Sequence, residues 1–308
     1  MWSPFSYQKA KIRKFVYLCR VIGFNLTKTK RHFTNLLAEK FPQREAEQLM
    51  RILLEDLFGI DWNQQLMNPE MRIDEFQHAR LRDAVERLLS GEPVQYVTGV
   101  ARFCDLIIKV LPAVLIPRPE TEELVQKIGT SIPANKHMRV WDIGTGSGCI
   151  AIALAKHLVN AEVIAFDVSE EALQIAKENA ESNGAKVTFV QDDVLHPTSD
   201  YFNQPVDLVV SNPPYVCESE RTAMEAIVLD WEPENALFVP DDDPLRFYRK
   251  ILELAKPQLN HNGQIWFEIN ERMGEEMLQL CHNMGFAEAE IIEDYMGKPR
   301  FCSIRQAP

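Results

Sequence analysis

The sequence lacks the features of several protein classes. Its six cysteines lie far apart and form no Cys-x-x-Cys pair, so neither a zinc site nor a disulfide framework is predicted. The seven histidines have no metal-ligand spacing, and no metal is expected. No apolar run approaches the roughly 18 to 20 residues of a membrane span, and the first residues lack a signal peptide's apolar stretch and cleavage site. We therefore expect a cytoplasmic protein that does not enter a membrane.

Positive charge is also scarce. The formal net charge is -12, which argues against a general nucleic-acid-binding protein, because neutralising phosphates requires clustered Lys and Arg. The charge is uneven: residues 1–40 hold nine Lys or Arg and one acid, Glu39, whereas the remaining chain holds 24 bases and 44 acids. The basic segment fits either an acidic partner or RNA, or a solvated helical face, and the second interpretation is favoured. Stable nucleic-acid binding is not expected.

Helical periodicity dominates the beginning of the chain. In "QREAEQLMRILLEDLFG" apolar residues recur at i, i+3, i+4 and i+7, which is typical of an amphipathic helix, and Gly59 is its expected end. A later helix is predicted to start at Asp74, with Gln77 completing a capping box. We predict an N-terminal helical domain over residues 1–92, of which residues 1–28 form an extension.

A different pattern follows. Over residues 93–117 the segments "VQYVTG", "LIIKV" and "AVLIP" predict a β-hairpin-like connector. Over residues 118–308 strands and helices alternate, and the strands are nearly continuous apolar runs, which indicates a doubly wound, mostly parallel sheet. The last segments, "EAEIIED" and "FCSIRQ", predict an antiparallel edge hairpin. The expected fold class is therefore α/β with a seven-stranded sheet and an N-terminal helical bundle.

A glycine-rich loop, "WDIGTGSG", follows the first strand of this sheet. It does not complete a dinucleotide-binding G-x-G-x-x-G/A pattern, because Cys149 stands at the last position. Its Asp-x-Gly-x-Gly-x-Gly spacing resembles the first motif of class I S-adenosylmethionine-dependent methyltransferases. Closely spaced glycines let a backbone approach a ligand. The predicted cofactor residues of the loop are Asp142, Gly144, Thr145, Gly146, Ser147 and Gly148.

Two further acids follow the next strands. Asp167 ends the second strand, where a carboxylate can accept hydrogen bonds from two ribose hydroxyls. After the third strand, Asp193 is the preferred acceptor for an adenine amino group, with Asp192 as the second choice. A capping or turn role explains Asp142 or Asp193, taken singly, about as well. The prediction of an adenosyl cofactor depends on all these features occurring in order.

The stretch "SNPPYV" follows the fourth strand, beside the switch point of the predicted sheet. A planar amide or amine nitrogen is a weak nucleophile, and the Asn212 oxygen and Pro213 carbonyl can accept its two N–H bonds. Pro214 restricts the backbone, and Tyr215 is expected to pack against the planar group. The residues therefore predict methyl transfer to a planar nitrogen. A simpler interpretation is a loop in which the two prolines only end the strand.

The chain resembles the PrmC/HemK family of protein-(glutamine-N5) methyltransferases, which modify peptide chain release factors. Beyond the glycine loop and the Asn-Pro-Pro-Tyr motif, the resemblance rests on "GEPVQYVTG", "LIPRPETEELV" and "EPENAL". The sister family that methylates a ribosomal-protein glutamine shares this architecture, but "PRPETE" is closer to the release-factor branch. Two rival hypotheses are an N6-adenine nucleic-acid methyltransferase and a cofactor-binding protein without catalysis.

The resemblance implies S-adenosyl-L-methionine as cofactor and the Gly-Gly-Gln glutamine of class 1 release factors as substrate. It places Asn212 and the region of Asp193 and Val194 among the cofactor contacts, and Phe103 in the wall of the substrate pocket. Family members often have an aromatic residue where this chain has Val194. Further roles are assigned from position: Arg118 and Glu120 either form a connector salt bridge, which is favoured, or steer the substrate. Glu268 either orders the site or is solvated at a strand end.

Overall fold

The computed structural model describes residues 23–306. It divides into two compact units between Thr98 and Gly99. Residues 1–22 of the predicted extension lie outside the described residues, while the part of it that is described belongs to the N-terminal unit. The division falls inside the predicted connector, whose hairpin belongs to the C-terminal unit.

The N-terminal unit is a helical bundle with one short β-ladder. Its elements are β1 (Phe24–Asn25), α1 (Leu26–Leu37), α2 (Gln43–Phe58), α3 (Trp62–Met67), β2 (Arg72–Ile73), α4 (Glu75–Ser90) and α5 (Val94–Thr98). Both predicted helices are confirmed as α2 and α4. Gly59 ends α2 in the left-handed region, with φ 66°. The capping box of α4 is present, since Asp74 accepts from the Gln77 backbone at 2.7 Å and the Gln77 side chain accepts in return at 3.1 Å.

The predicted strand "VQYVTG" is wrong, because its first five residues form the helix α5. Pro93 begins this turn of helix, and its carbonyl accepts from the backbone N–H groups of Tyr96 and Val97. The Arg87 guanidinium, paired with Glu92, donates at 3.2 Å to the carbonyls of Tyr96 and Val97. These bonds satisfy carbonyls at the helix end, which a short β-rich pattern cannot reveal.

The C-terminal unit contains the remaining elements. In chain order they are β3 (Val100–Phe103), β4 (Leu106–Lys109), α6 (Pro119–Ser131), β5 (Met138–Ile143), α7 (Cys149–His157), β6 (Ala161–Asp167), α8 (Glu170–Ser182), β7 (Thr188–Gln191), β8 (Val206–Ser211), β9 (Val216–Cys217), α9 (Ala226–Trp231), β10 (Phe238–Val239), α10 (Arg246–Ala255), β11 (Leu259–Glu268), α11 (Gly274–Asn283), β12 (Glu288–Glu293) and β13 (Pro299–Arg305). Strands β3 and β4 form the predicted hairpin.

The predicted strand "AVLIP" is wrong: residues 114–117 are irregular, and the Ile116 N–H donates to the side chain of Glu232 instead of to a neighbouring strand.

The described residues form the predicted seven-stranded sheet, in the order β12-β13-β11-β8-β5-β6-β7. The pairings that join β11, β8, β5, β6 and β7 are parallel, and β13 lies antiparallel between β11 and β12. The winding reverses at β5, since β6 and β7 follow on one side and β8 and β11 on the other. The carboxyl ends of β5 and β8 therefore flank the switch point, where open α/β sheets bind ligands.

Buried aromatic side chains fill one face of the sheet below this edge. Trp141 meets Phe202 edge-on, with ring centroids 5.4 Å apart, and Phe166 stacks on Phe202 at 4.3 Å. All three side chains are buried. The strand ends that carry the site are thus fixed by a packed core, as a preorganised site requires. Within the described residues, no helix is long and apolar enough to cross a membrane.

Candidate active site

A cavity that opens to solvent lies at the carboxyl ends of β5, β6, β7 and β8; together with the adjoining open solvent space its volume is about 1100 Å³. Most of the residues predicted for the site line it. They are Gly144, Thr145, Gly146, Ser147, Asp167, Asp193, Val194, Asn212, Pro213 and Pro214. The loop, the two acids and the Asn-Pro-Pro segment therefore meet at one place, although they come from four different strand ends. In the described part of the chain, no group of three or more His, Cys, Asp or Glu side chains is arranged to hold a metal.

The glycine loop turns tightly against the end of β6. The Gly144 and Thr145 N–H groups both donate to the Phe166 carbonyl at 2.9 Å, and the Gly146 N–H donates to the Asp167 carboxylate at 2.8 Å. Gly144 and Gly146 have φ values of 75° and 53°, and a Cβ at either would meet nothing within 4 Å. This face of the loop is bare backbone beside open space, so a ligand can approach it closely.

Asp167 joins the loop to the start of α8. Its other carboxylate oxygen accepts from the Ser169 N–H at 2.9 Å, and burial raises the pKa of the carboxyl group. The side chain still lines the cavity. A fixed carboxylate at this position can accept from ligand hydroxyls without first being reoriented.

Asp142 and Gly148 do not line the cavity. The Asp142 side chain is fully buried, where one oxygen accepts from the Thr145 hydroxyl at 2.6 Å and from the Ala151 N–H at 3.1 Å. Burial raises the pKa of this carboxyl to about 7. Gly148 has φ 83°, and a Cβ there would lie 3.0 Å from that of Ala176. Asp142 thus stabilises the glycine loop by hydrogen bonds, and Gly148 permits close packing of α7 on α8.

The acids after β7 have separate roles. Asp192 is buried and accepts from the backbone of Thr198 and Ser199, so its oxygens are occupied by the following turn. Asp193 is more exposed and accepts from Leu195 N–H and from His196 Nδ1, at 2.9 and 2.8 Å. Burial raises the pKa of Asp193, but these hydrogen bonds outweigh it and the pKa lies below its usual range. Asp193 is therefore better placed than Asp192 to meet a ligand.

An apolar wall completes this end of the cavity. It is formed by Val194, by Phe166 at the end of β6, and by Phe247 and Ile251 on α10. Phe247 was not predicted as a site residue. Its aromatic side chain stands in "RFYRKIL", an amphipathic helical pattern that indicates core packing and gives no sign of a ligand. Only the docking of α10 beside the β7 loop brings the ring to the cavity.

At the opposite end, Asn212 is held by a side chain of α6, which is itself bonded to a side chain of β11. Its amide Nδ2 donates to the Thr121 hydroxyl at 3.1 Å, and that hydroxyl donates to a Glu268 oxygen at 2.6 Å. The Tyr215 hydroxyl donates to the other Glu268 oxygen at 3.0 Å. Glu268 is buried, which raises the pKa of its carboxyl. Of the two roles considered for Glu268, the structure supports ordering of the site.

Two predicted substrate residues do not line the cavity. Tyr215 is turned towards Glu268 and packs against the core, and its backbone carbonyl accepts from the Asn270 side chain at 3.3 Å. Phe103 is the last residue of β3, and its side chain is buried, with 1% exposed. The aromatic residue of the Asn-Pro-Pro-Tyr motif therefore packs on the core side of the loop and does not face the cavity.

The segment after the β-hairpin forms another wall of the cavity. The sequence predicts this segment only as part of the connector, with no role in the site. Ala113, Val114, Leu115 and Pro117 line the cavity, together with Asn235 and Ala236 of "EPENAL". As expected, Arg118 forms a salt bridge, and its partner is the buried Glu232. Glu232 also accepts from the Ile116 N–H at 3.2 Å. This ion pair joins "LIPRPETEELV" and "EPENAL", two of the segments on which the family resemblance rests.

Comparison with known proteins identifies the family of the chain. A model described as "Methyltransferase domain" matches residues 134–268, which contain the glycine loop and the Asn-Pro-Pro-Tyr motif. A second, "PrmC N-terminal domain", matches residues 30–99 of the helical unit. A release factor glutamine methyltransferase of Bacteroides thetaiotaomicron is 45% identical over 264 residues, which cover 86% of this chain and 94% of that protein. The chain belongs to the release factor glutamine methyltransferase family.

A second relative has the same family name. The Flavobacterium psychrophilum release factor glutamine methyltransferase is 41% identical over 275 residues, covering 88% of this chain and 96% of its own. Among solved structures, the Thermus thermophilus 16S rRNA N2 G1207 methyltransferase matches with a TM-score of 0.49 and 15% identity, over 68% of this chain and 50% of that one. The family assignment depends on the two relatives and not on this distant structure.

The cofactor of this family of class I methyltransferases is S-adenosyl-L-methionine, and the cavity fits it. The bare glycine backbone and the Asp167 carboxylate offer room for a ribose and the adjoining chain, and the apolar wall suits an adenine ring. When bound, the cofactor supplies a methyl group on a positively charged sulfur. The chain is therefore a methyltransferase, and the cavity at the switch point of the sheet offers room for its cofactor.

Proposed function

We propose that this enzyme methylates the side-chain amide nitrogen (N5) of the glutamine in the Gly-Gly-Gln motif of class 1 peptide chain release factors. The observation that carries the proposal is the orientation of Asn212. Its amide nitrogen is engaged by Thr121, and its oxygen has no hydrogen-bond partner among residues 23–306. A hydrogen-bond acceptor at the mouth of a methyltransferase cavity fits an incoming N–H donor. Family membership supports a glutamine of a release factor as the source of that donor.

The Asn212 oxygen would help an amide nitrogen to act as a nucleophile. The lone pair of an amide nitrogen is delocalised, and positive charge develops on the nitrogen as its bond to the methyl carbon forms. The Asn212 oxygen and the Pro213 carbonyl would accept the two N–H bonds, hold the nitrogen in line and offset that charge. As this nitrogen–carbon bond forms, the bond between the methyl carbon and sulfur breaks and its electron pair stays on sulfur. The nitrogen loses one proton to solvent, to which the cavity is open, and becomes the neutral N5-methyl amide. The rigid backbone of Pro213 and Pro214 keeps the acceptors in place.

The binding mode of the cofactor follows from the two ends of the cavity. We assign the ribose hydroxyls to Asp167, the adenine amino group to Asp193, and the methionine end to the backbone of Gly144 and Gly146. Phe247, in the same apolar wall as Val194, would supply the aromatic surface for adenine that family members often place after the acid. This assignment puts the sulfur beside Asn212, whose amide faces the same cavity.

The test is a methyl-transfer assay with labelled S-adenosyl-L-methionine. Purified class 1 release factor, the same factor with its Gly-Gly-Gln glutamine changed to alanine, and bulk RNA and DNA are offered in parallel. We expect label on the intact factor alone. Label on the changed factor would contradict the assigned glutamine, and label on nucleic acid would contradict the substrate class while leaving the cofactor unchanged.

A further inference from the structure

An asparagine side chain poses a problem of orientation at this site. A half turn of its amide exchanges an acceptor oxygen for an NH₂ group, with little change in shape. In the wrong orientation Asn212 would present N–H bonds to the N–H bonds of the substrate amide, and the two groups would repel. The proposed reaction therefore needs something that fixes which way the Asn212 amide points.

The neighbouring hydrogen bonds have a fixed direction. An ionised carboxylate can only accept hydrogen bonds, so the Thr121 hydroxyl, 2.6 Å from a Glu268 oxygen, must donate its single hydrogen there. The hydroxyl oxygen can then only accept from Asn212, 3.1 Å away, which requires the Asn212 nitrogen on that side. The Asn212 oxygen is left pointing to the cavity. Charge on Glu268 thus determines the orientation of an amide two hydrogen bonds away.

The surroundings keep this chain of hydrogen bonds intact. Thr121 is 3% exposed and Glu268 is 1% exposed, so water does not compete for these bonds. The second Glu268 oxygen is occupied by the Tyr215 hydroxyl at 3.0 Å, and the Glu268 backbone carbonyl accepts from the Tyr248 hydroxyl at 2.9 Å. Glu268 therefore has no alternative rotamer that would release Thr121 without leaving buried donors unsatisfied.

We propose that Thr121 and Glu268 are positioning residues that fix the Asn212 amide with its oxygen in the cavity. The inference rests on the proposed role of Asn212 and deepens it. Thr121 is in the first turns of α6 and Glu268 ends β11, so neither belongs to the Asn-Pro-Pro-Tyr motif. Through them the fold selects which end of the amide meets the substrate.

The first test compares Thr121→Val with Thr121→Ser. Valine keeps the shape of threonine and removes the hydroxyl, whereas serine keeps the hydroxyl and serves as the matched control. We expect Thr121→Val to lower kcat about 10- to 100-fold, since misplacement of a reacting group costs up to about 10²-fold, with little change in the Kd for S-adenosyl-L-methionine. Thr121→Ser should keep kcat within about threefold. Equal losses in both variants, or an unchanged kcat in Thr121→Val, would overturn the proposal.

Asn212→Ala separates this inference from the proposed function. If Asn212→Ala retains turnover, the role of Asn212 itself is wrong. If Asn212→Ala loses turnover while Thr121→Val retains it, only the positioning chain is wrong. In an Asn212→Ala background, Thr121→Val should have almost no further effect on residual turnover, because the two residues act as one unit. A further loss as large as in the wild type would show that Thr121 acts elsewhere.

The side-chain NH₂ resonances of Asn212 give a readout that does not depend on turnover. They are assigned by their absence from Asn212→Ala. In the wild type and in Thr121→Ser we expect one of the two protons to exchange slowly with water, because it is bonded to a buried hydroxyl. In Thr121→Val that protection should be lost. Unchanged exchange in Thr121→Val would contradict the chain of hydrogen bonds even if this variant also folded less stably.

The pH profile tests the part played by Glu268. Burial raises the pKa of Glu268; the Thr121 and Tyr215 hydroxyls and Arg300 lower it, and Glu120 raises it. When Glu268 gains a proton it can no longer accept from both hydroxyls, so kcat should fall on the acid side, at a pH above the usual glutamic acid pKa of about 4.3. In Thr121→Val this acid-side decrease should be largely absent. An identical decrease in both proteins would contradict the role of Glu268.

Discussion

The end of the cavity around Asp167 is built within one β-α-β unit, from the glycine loop after β5 and the last residue of β6, whereas the end around Asn212 is assembled from three distant segments. At the first end, the backbone of the glycine loop and one strand-end carboxylate make the contacts. At the second end, a side chain from α6 accepts a hydrogen bond from the residue that follows β8 and donates one to a side chain at the end of β11. The same sheet edge thus supports a site made of backbone and a site made of side chains.

The difference has a physical reason. A cofactor of constant shape can be bound by backbone geometry, which short motifs with positive φ values specify locally. A nucleophile must instead be aligned to within fractions of an ångström by groups that do not rotate. That requires buried partners from several elements. Changes at the first end should therefore affect cofactor affinity, and changes at the second end should affect turnover.

The largest expected effect is that of Asn212→Ala. Removing one preorganised acceptor of this kind lowers kcat about 10²- to 10³-fold. The unfolding midpoint should hardly change, because the side chain is only half-buried. Turnover and thermal unfolding check this, with Asn160→Ala, a surface asparagine bonded to the Asn135 carbonyl, as control. Retained turnover by a folded, cofactor-binding Asn212→Ala protein would contradict the assignment.

The next effect is that of Asp167→Asn at the other end. An amide cannot accept from Gly146, from Ser169 and from a ribose as a carboxylate does, so we expect the Kd for S-adenosyl-L-methionine to rise about 10- to 100-fold. At saturating cofactor, kcat should change much less. Calorimetric titration measures the affinity, and Asp193→Asn is the control, with a smaller expected rise because Asp193 is more exposed. If Asp167→Asn lowered kcat and left the Kd for S-adenosyl-L-methionine unchanged, the two ends of the cavity would not differ in binding and turnover as we expect.

Phe247→Ala should weaken cofactor binding about tenfold, since stacking of a base on an aromatic side chain contributes about 1 to 3 kcal/mol. Phe247→Leu keeps apolar area without a ring and should lose less. Adding Val194→Phe to Phe247→Ala should restore part of the affinity. Titration with S-adenosylhomocysteine measures all three proteins, and an unchanged Kd in Phe247→Ala would show that adenine packs elsewhere.

The smallest effect is expected for Gly148→Ala. The left-handed conformation at this position costs a non-glycine residue about 1 to 2 kcal/mol, and the new Cβ would press on Ala176. The thermal midpoint should fall by about 2 to 8 °C. Cofactor affinity should be nearly unchanged, because Gly148 does not line the cavity. Gly146→Ala is the comparison: its stability loss should be similar, but its affinity loss larger.

Local signals predicted much of the fold. The amphipathic pattern of α2, the capping box of α4, the strand and helix that flank the glycine loop and the terminal hairpin are all present. The errors occur where distant groups decide the conformation. Arg87 and Pro93 make "VQYVT" helical, and Glu232 holds the segment predicted as the strand "AVLIP". In both places a short apolar run fits either state until its partners are known.

The sequence by itself determined the class of fold, and it predicted a cofactor site at the glycine loop and Asn212 as the amide acceptor. Glycine spacing, strand-end acids and an Asn-Pro-Pro-Tyr motif are local patterns whose chemistry is carried by the residues themselves. Only the tertiary structure decided that Asp142 and Tyr215 act from behind the cavity, that Phe247 belongs to its wall, and that Thr121 orients Asn212. These roles depend on which side chains meet across the sheet, because hydrogen-bond direction and burial are set by neighbours that are distant in the chain.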